Sequence, residues 1–160
     1  MRNPKRTRSG QAATDLILDV FRLNGRLLVA GDRLTAPLGL TSARWQVLGA
    51  ISLSERPLPV AWLARNMGLN RQGVQRIVNE LQSEGIVAFE PNPHHRRAHL
   101  VVLTARGKAL IDATERVQAP WVNGLAEGLV AEDIECARRV VGVLRERLER
   151  ESRDEPDELG

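Results

Sequence analysis

The chain has 160 residues and a mass of 17.7 kDa, with 42% hydrophobic and 27% charged residues and a formal net charge of +3. That is one domain, or two small lobes on a shared core, and it excludes wholesale disorder. No apolar run approaches the ~18 residues of a membrane span, and the basic start MRNPKRTRSG has no apolar stretch behind it to make a signal peptide. One cysteine, Cys136, excludes a disulfide framework or a thiolate zinc site within the chain, so a soluble cytoplasmic protein is expected.

Residues 1–10 read as a basic flexible tail carrying Arg2, Lys5, Arg6 and Arg8 with no acid. From Gln11 to about Ala36 the apolar positions Leu16, Val20, Leu23, Leu27 and Leu34 recur at helical steps and predict one long amphipathic helix. Gly25 and Gly31 weaken it by about 1 kcal/mol each relative to alanine, and Pro37 and Gly39 stop it. Thr41 or Ser42 caps a second helix with Trp45, Leu48 and Ile51 on one face, and the two-proline segment 54–59 reads as a turn.

The next stretch is the most patterned. Val60, Leu63, Ala64 and Met67 fit a short helix ended by Gly68, and Asn70 caps another whose buried stripe is Val74, Ile77, Val78 and Leu81. Two single-striped helices joined by a tight glycine turn make a helix-turn-helix candidate. After Gly85 the period changes: residues 86–89 and 99–103 are β-prone, with the polar loop PNPHHRR between them. A two-stranded hairpin directly behind a helix-turn-helix is a wing.

Thr104 then caps a helix with the stripe Leu103, Gly107, Leu110, Thr114, Val117 and Trp121, which Pro120 is expected to kink or interrupt. A last helix opens at Ala131-Glu132-Asp133 and repeats Ile134, Ala137, Val141, Leu144 and Leu148 at three- and four-residue spacing, a seam for packing on other helices. Residues 151–160, with five acids against Arg153, read as an acidic tail.

The fold class expected is therefore mainly α: a winged helix-turn-helix with a two-stranded β wing, between long N- and C-terminal helices forming a dimerisation region. The divisions are 11–40 for the N-terminal dimerisation helix, 41–104 for the DNA-binding lobe and 105–150 for the C-terminal dimerisation helices. The small net charge hides an uneven one. From Arg65 to Arg106 there are six arginines against three acids, and all three histidines lie in the same lobe, which suits a polyanionic partner. Three Trp, two Phe and no Tyr are thin for single-strand binding, which stacks bases on such side chains.

Over roughly residues 11–150 the chain resembles the MarR family of winged-helix transcriptional regulators. The stretches that carry the resemblance are TSARWQVLGAI, VAWLARNMGLNRQGVQRIVNELQSEGIV and NPHHRRAHLVVLTARGKALI, closing on Leu103, Thr104 and Gly107. The resemblance implies a homodimer whose terminal helices interlock, a pseudo-palindromic operator, and a repressor released by a small aromatic or amphipathic ligand. It also implies an acidic residue two positions before the wing arginine; here that position is His95, so the wing must be supported differently. Peroxide-sensing members resemble one another in an N-terminal-helix cysteine and urate-responsive members in an aspartate where this chain has Gln46; neither chemistry is expected.

The candidate site residues follow from the pattern. In the major groove, Arg71, Gln72, Gln75, Arg76 and Asn79 lie opposite the buried stripe; arginine grips guanine, and glutamine or asparagine pairs with adenine. Gly73 leaves room for close approach of backbone to phosphate. Arg96 and Arg97 suit a narrow minor groove, with Arg97 favoured by the resemblance as the inserted residue. His94 and His95 beside them are read as phosphate contacts that gain charge near DNA; adjacent histidines with His99 in a strand do not converge as metal ligands. Arg44, Arg65, Asn66, Asn70 and the N-terminal basic run are candidate backbone contacts. Phe21, Trp45 and Trp121 are candidates for an effector pocket, although sparse aromatics are more often core. No catalytic constellation, cofactor or metal site is expected. The competing class is a winged-helix module that binds protein, which would carry an acidic or apolar recognition face.

Overall fold

A computed structural model describes residues 5–154. Arg2 and the first four residues of the basic tail, and residues 155–160 of the acidic one, lie outside the described residues. Contacts divide the chain into two units between Ala119 and Pro120.

Helix α1 spans Arg8–Thr35. It starts earlier than the apolar pattern because the Thr7 side-chain oxygen accepts the Gly10 N–H at 3.0 Å, an N-cap. Its end is tied down by Thr35, fully buried, whose hydroxyl lies 2.9 Å from the Gly31 carbonyl oxygen and 3.1 Å from that of Leu40. A short 3-10 turn, Ala36–Leu38, and Gly39 in the left-handed region lead to α2, Ser42–Ser52. Thr41 caps α2 by accepting the Arg44 N–H, and Asp32 of α1 accepts the Ser42 N–H at 2.6 Å. Gly31 does more than weaken α1. It is buried against α2, and a Cβ there would meet the Ser42 hydroxyl.

In α2 the buried set is Val47, Leu48 and Ile51, with Trp45 half-buried at the edge of the core. The segment expected as a turn contributes a short strand, β1, Leu58–Pro59. It pairs antiparallel with β3, Leu100–Leu103, which also pairs with β2, Val87–Glu90, giving the sheet order β1-β3-β2. The expected two-stranded wing is present, and β1 adds a third strand at its base. Pro59 is tolerated because β1 is an edge, where a missing N–H costs no ladder bond.

Helices α3, Val60–Met67, and α4, Arg71–Ser83, pack with α2 and the sheet. Val47, Leu48, Leu63, Val74, Val78, Leu81, Val87 and Val101 are fully buried in this core. Helix α5, Ala105–Leu125, joins it through Ile111. The Thr104 hydroxyl accepts the Gly107 N–H at 3.1 Å and lies 2.7 Å from the Gly85 carbonyl oxygen, while Gly107 packs on the Ile86 carbonyl with no room for a Cβ. Those contacts explain the Leu103, Thr104, Gly107 pattern: it welds the end of the wing to the turn after α4. Pro120 does not interrupt α5, which continues to Leu125 although the Arg116 carbonyl loses its helical partner.

In the second unit, α6 spans Ala131–Asp154, so the first residues of the expected acidic tail are helical. Glu132 and Asp133 sit in its positive first turn. None of its described side chains is buried, and Ile134, Val140, Val141 and Val143 are exposed. Along α1, Leu18, Phe21, Leu23 and Val29 are likewise exposed, although its end is buried at Gly31 and Thr35. Among the described residues no helix is long and apolar enough to cross a membrane.

Candidate nucleic-acid interface

Gly68, in the left-handed conformation at φ 64°, ends α3. The Leu69 N–H reaches back to the Ala64 carbonyl at 2.9 Å, closing the helix end. Asn70 then starts α4, its side-chain oxygen accepting the N–H groups of Gln72 at 2.8 Å and Gly73 at 3.4 Å. This cap fixes which face of α4 is buried. Val74, Val78 and Leu81 go inward; Arg71, Gln72, Arg76 and Asn79 are exposed and Gln75 is half-buried on the opposite side.

Arg71, Gln72, Gln75, Arg76, Asn79 and Glu80 line one shallow concavity. Within it the polar groups hold each other. Gln75 Nε2 donates to Asn79 Oδ1 at 2.9 Å, and Arg76 Nη1 lies 3.7 Å from Glu80 Oε1. Both pairs are one helical turn apart and solvent-exposed, worth about 0.3–0.5 kcal/mol each, so base edges can replace them at little cost. Glu80 was not among the sequence candidates; its signal was the four-residue spacing from Arg76.

The wing loop, residues 91–99, is closed by Asn92. Its Nδ2 donates to the Ala98 carbonyl at 2.9 Å and its Oδ1 accepts the His94 N–H at 3.0 Å. The backbone adds two bonds, His95 N–H to Asn92 carbonyl at 3.3 Å and Ala98 N–H to His95 carbonyl at 3.0 Å. His94, His95, Arg96 and Arg97 are all exposed on this loop. His99 turns back to meet the Phe89 ring, centroids 6.3 Å apart. Among the described residues no group of three His, Cys, Asp or Glu side chains converges as a metal site. Sequence reasoning overlooked Asn92, although an asparagine between two prolines is a strong turn signal.

The remaining candidates separate. Arg65 is exposed on α3, its guanidinium 5.8 Å from the centroid of the exposed Trp62 ring, and Asn66 is exposed beside it. Asn70 has its side-chain oxygen committed to the cap, leaving its amide N–H groups free to donate. Arg44 is placed differently from the expectation. Its side chain is only 15% exposed, Nη2 lies 2.7 Å from Glu84 Oε2, and Nη1 donates to the Gly39 carbonyl at 3.3 Å. In the free chain it is a structural tie between α2 and the end of α4. Phe21 is 68% exposed on α1, Trp45 is half-buried against the core beside Gly31, and Trp121 is half-buried in the second unit.

Comparison with known proteins gives a consistent picture. A family model described as the MarR family matches residues 38–98. A Mycobacterium tuberculosis relative, the uncharacterized protein Rv2011c, is 44% identical over 102 residues, 63% of this chain and 70% of its own length. The transcriptional activatory protein BadR of Rhodopseudomonas palustris is 31% identical over 103 residues, 61% of this chain and 57% of BadR. Among solved structures, CouR from Rhodococcus jostii RHA1, bound to p-coumaroyl-CoA, superposes with a TM-score of 0.73 at 23% identity, covering 82% of this chain and 92% of CouR. A MarR/EmrR family regulator from Acinetobacter sp. ADP1 reaches a TM-score of 0.76 at 16% identity over 86% of this chain and 97% of its own.

Proposed function

The chain belongs to the MarR family of DNA-binding transcription regulators, and from that premise we propose that it binds a pseudo-palindromic operator as a homodimer and represses transcription until a small molecule releases it. The observation that carries the reading is the α4 face. It holds arginine and amide side chains on one exposed concavity, in the same lobe as an exposed wing with two adjacent arginines. Arg71, Gln72, Gln75, Arg76 and Asn79 then read bases in the major groove, and Arg96 and Arg97 enter the minor groove. His94, His95, Arg65, Asn66 and the Asn70 amide contact phosphates. The apolar surfaces on α1 and α6 support a second copy as their cover, because exposed apolar side chains this numerous mark an interface. A dimer sets two α4 helices about one DNA turn apart, which is why the operator should have two-fold symmetry.

The effector class follows CouR, whose structure holds p-coumaroyl-CoA: an aromatic or amphipathic molecule that binds one conformation of the dimer better than the other. Activation is a second reading, favoured by the 31% identity to BadR, a transcriptional activatory protein. A mobility-shift titration with DNA from upstream of the chain's own reading frame tests the binding claim. Retardation by the parent, weakened by about tenfold or more in Arg76→Ala and in Arg97→Ala, is expected from contacts worth ~1–3 kcal/mol each. Parent-like retardation in either variant removes that residue from the interface, and no retardation of any duplex by the parent overturns the reading. A promoter fusion carrying the bound site then separates repression from activation.

A further inference from the structure

The geometry points to Asn92 as the positioning residue of the wing, the group that fixes where Arg96 and Arg97 are presented. The inference rests on the DNA-binding reading of those arginines. Neither arginine is held by its own side chain: among the described residues no ion pair or side-chain hydrogen bond ties Arg96 or Arg97 to the protein. Their placement therefore comes from the backbone of loop 91–99 alone. Beyond the backbone bonds of His95 to Asn92 and of Ala98 to His95, one half-buried carboxamide closes that loop and spans it in both directions, donating to the Ala98 carbonyl just past the arginines and accepting from His94 just before them.

The chemistry is specific to asparagine. One end of the side chain must donate and the other accept, at a reach of one carbonyl beyond Cβ. Alanine offers neither, and aspartate keeps the acceptor for His94 while losing the donor to Ala98. Pro91 and Pro93 on either side remove competing N–H donors and hold Asn92 extended, the conformation in which its side chain closes a turn on the residue two further on. The loop has no acidic residue to anchor it, since His95 stands two positions before Arg97. The carboxamide does that work without placing a negative charge beside the groove-facing arginines.

The test uses the full chain, with Asn92→Ala made in the parent and in an Arg96→Ala/Arg97→Ala background. In the free protein, amide exchange at His94, His95 and Ala98 should accelerate at least tenfold, with the thermal midpoint of the chain unchanged. Affinity for a duplex selected by the parent should fall about tenfold in the parent background and by less than twofold in the double-alanine background. Non-additivity of this kind marks a residue acting through the arginines, whereas a general structural role lowers both backgrounds equally. Equal losses in both backgrounds, or parent-like affinity of the single variant, overturns the proposal. If the parent binds no duplex at all, it is the DNA reading that fails, and the exchange arm still decides whether Asn92 closes the loop: unchanged protection means it does not.

Discussion

The Arg44 guanidinium sits 2.7 Å from the Glu84 carboxylate and joins α2 to the residue that caps the C-terminus of α4. Arg106 of α5 donates to the Glu84 carbonyl at 2.8 Å, so the C-terminal end of α4 is held from two sides. The two partners are not equally buried: Arg44 is 15% exposed and Glu84 42%. Among the described residues Nε and Nη2 of Arg44 are buried without a hydrogen-bond partner, so Coulomb attraction to Glu84 is what compensates their burial.

That asymmetry orders two variants. Glu84→Ala strands a buried guanidinium and should cost about 1–3 kcal/mol, between the values for exposed and buried pairs. Arg44→Met leaves a carboxylate that water can reach and should cost less. Urea unfolding of the two variants checks the order, and the reverse order would show that Arg44 packing outweighs its charge.

Gly107 and Gly25 predict opposite signs for the same substitution. A Cβ on Gly107 meets the Ile86 carbonyl, which belongs to the turn after α4 and cannot move freely, so Gly107→Ala should destabilise by about 1–3 kcal/mol. Gly25 lies within α1 with nothing within 4 Å of its Cβ position, and Gly25→Ala should stabilise by about 0.5–1 kcal/mol through helix propensity. Thermal unfolding of both in one buffer is the check; a stabilising Gly107→Ala would remove the account of the Thr104–Gly107 weld.

Gly73 separates stability from binding. Nothing in the free chain requires glycine there, since its Cβ position is open, yet it lies in the first turn of α4 beside Arg71 and Gln72. Gly73→Ala should raise thermal stability by up to about 1 kcal/mol while weakening DNA binding, because a methyl group stands between the backbone and an approaching phosphate. A variant that gains stability and binds as the parent does would return Gly73 to an accident of sequence.

Glu80 is the one acid among the residues lining the α4 concavity. Glu80→Gln frees Arg76 and removes a like charge from the approaching phosphates, so affinity should rise about two- to fivefold at low salt, the scale of an exposed ion pair, with the gain shrinking as salt is added. Anisotropy titrations at two ionic strengths measure this. A loss of affinity instead would mean that Glu80 accepts from a cytosine amino group.

The helices, their order and the inward face of α4 were legible because amphipathic period, caps and glycine stops act locally. Asn70 as a cap, Gly68 as a stop and the stripe Val74, Ile77, Val78 and Leu81, of which Ile77 is only half-buried, needed no tertiary information. What sequence left out depends on partners far along the chain. Arg44 looked like a free surface cation because Glu84 is distant in sequence. Leu58–Pro59 looked like a turn because a two-residue strand has no period to detect, and only β3 makes it one. Gly31 looked like a weak point in a helix because Ser42, which its Cβ would strike, is in the next one. The same limit hid Asn92, whose proline neighbours announced a turn without revealing that its side chain would be the clasp.

Selection of bound duplexes from a random pool decides whether the chain reads an operator as a dimer. Enrichment of one sequence arranged as two inverted half-sites with centres about 10 bp apart is expected, carrying guanines and adenines where the arginines and amides of α4 reach. Log affinity for that site should also fall linearly with log salt, with a slope near −0.9 for each phosphate neutralised. A pool that stays random, or that converges on a single half-site without symmetry, would contradict the account.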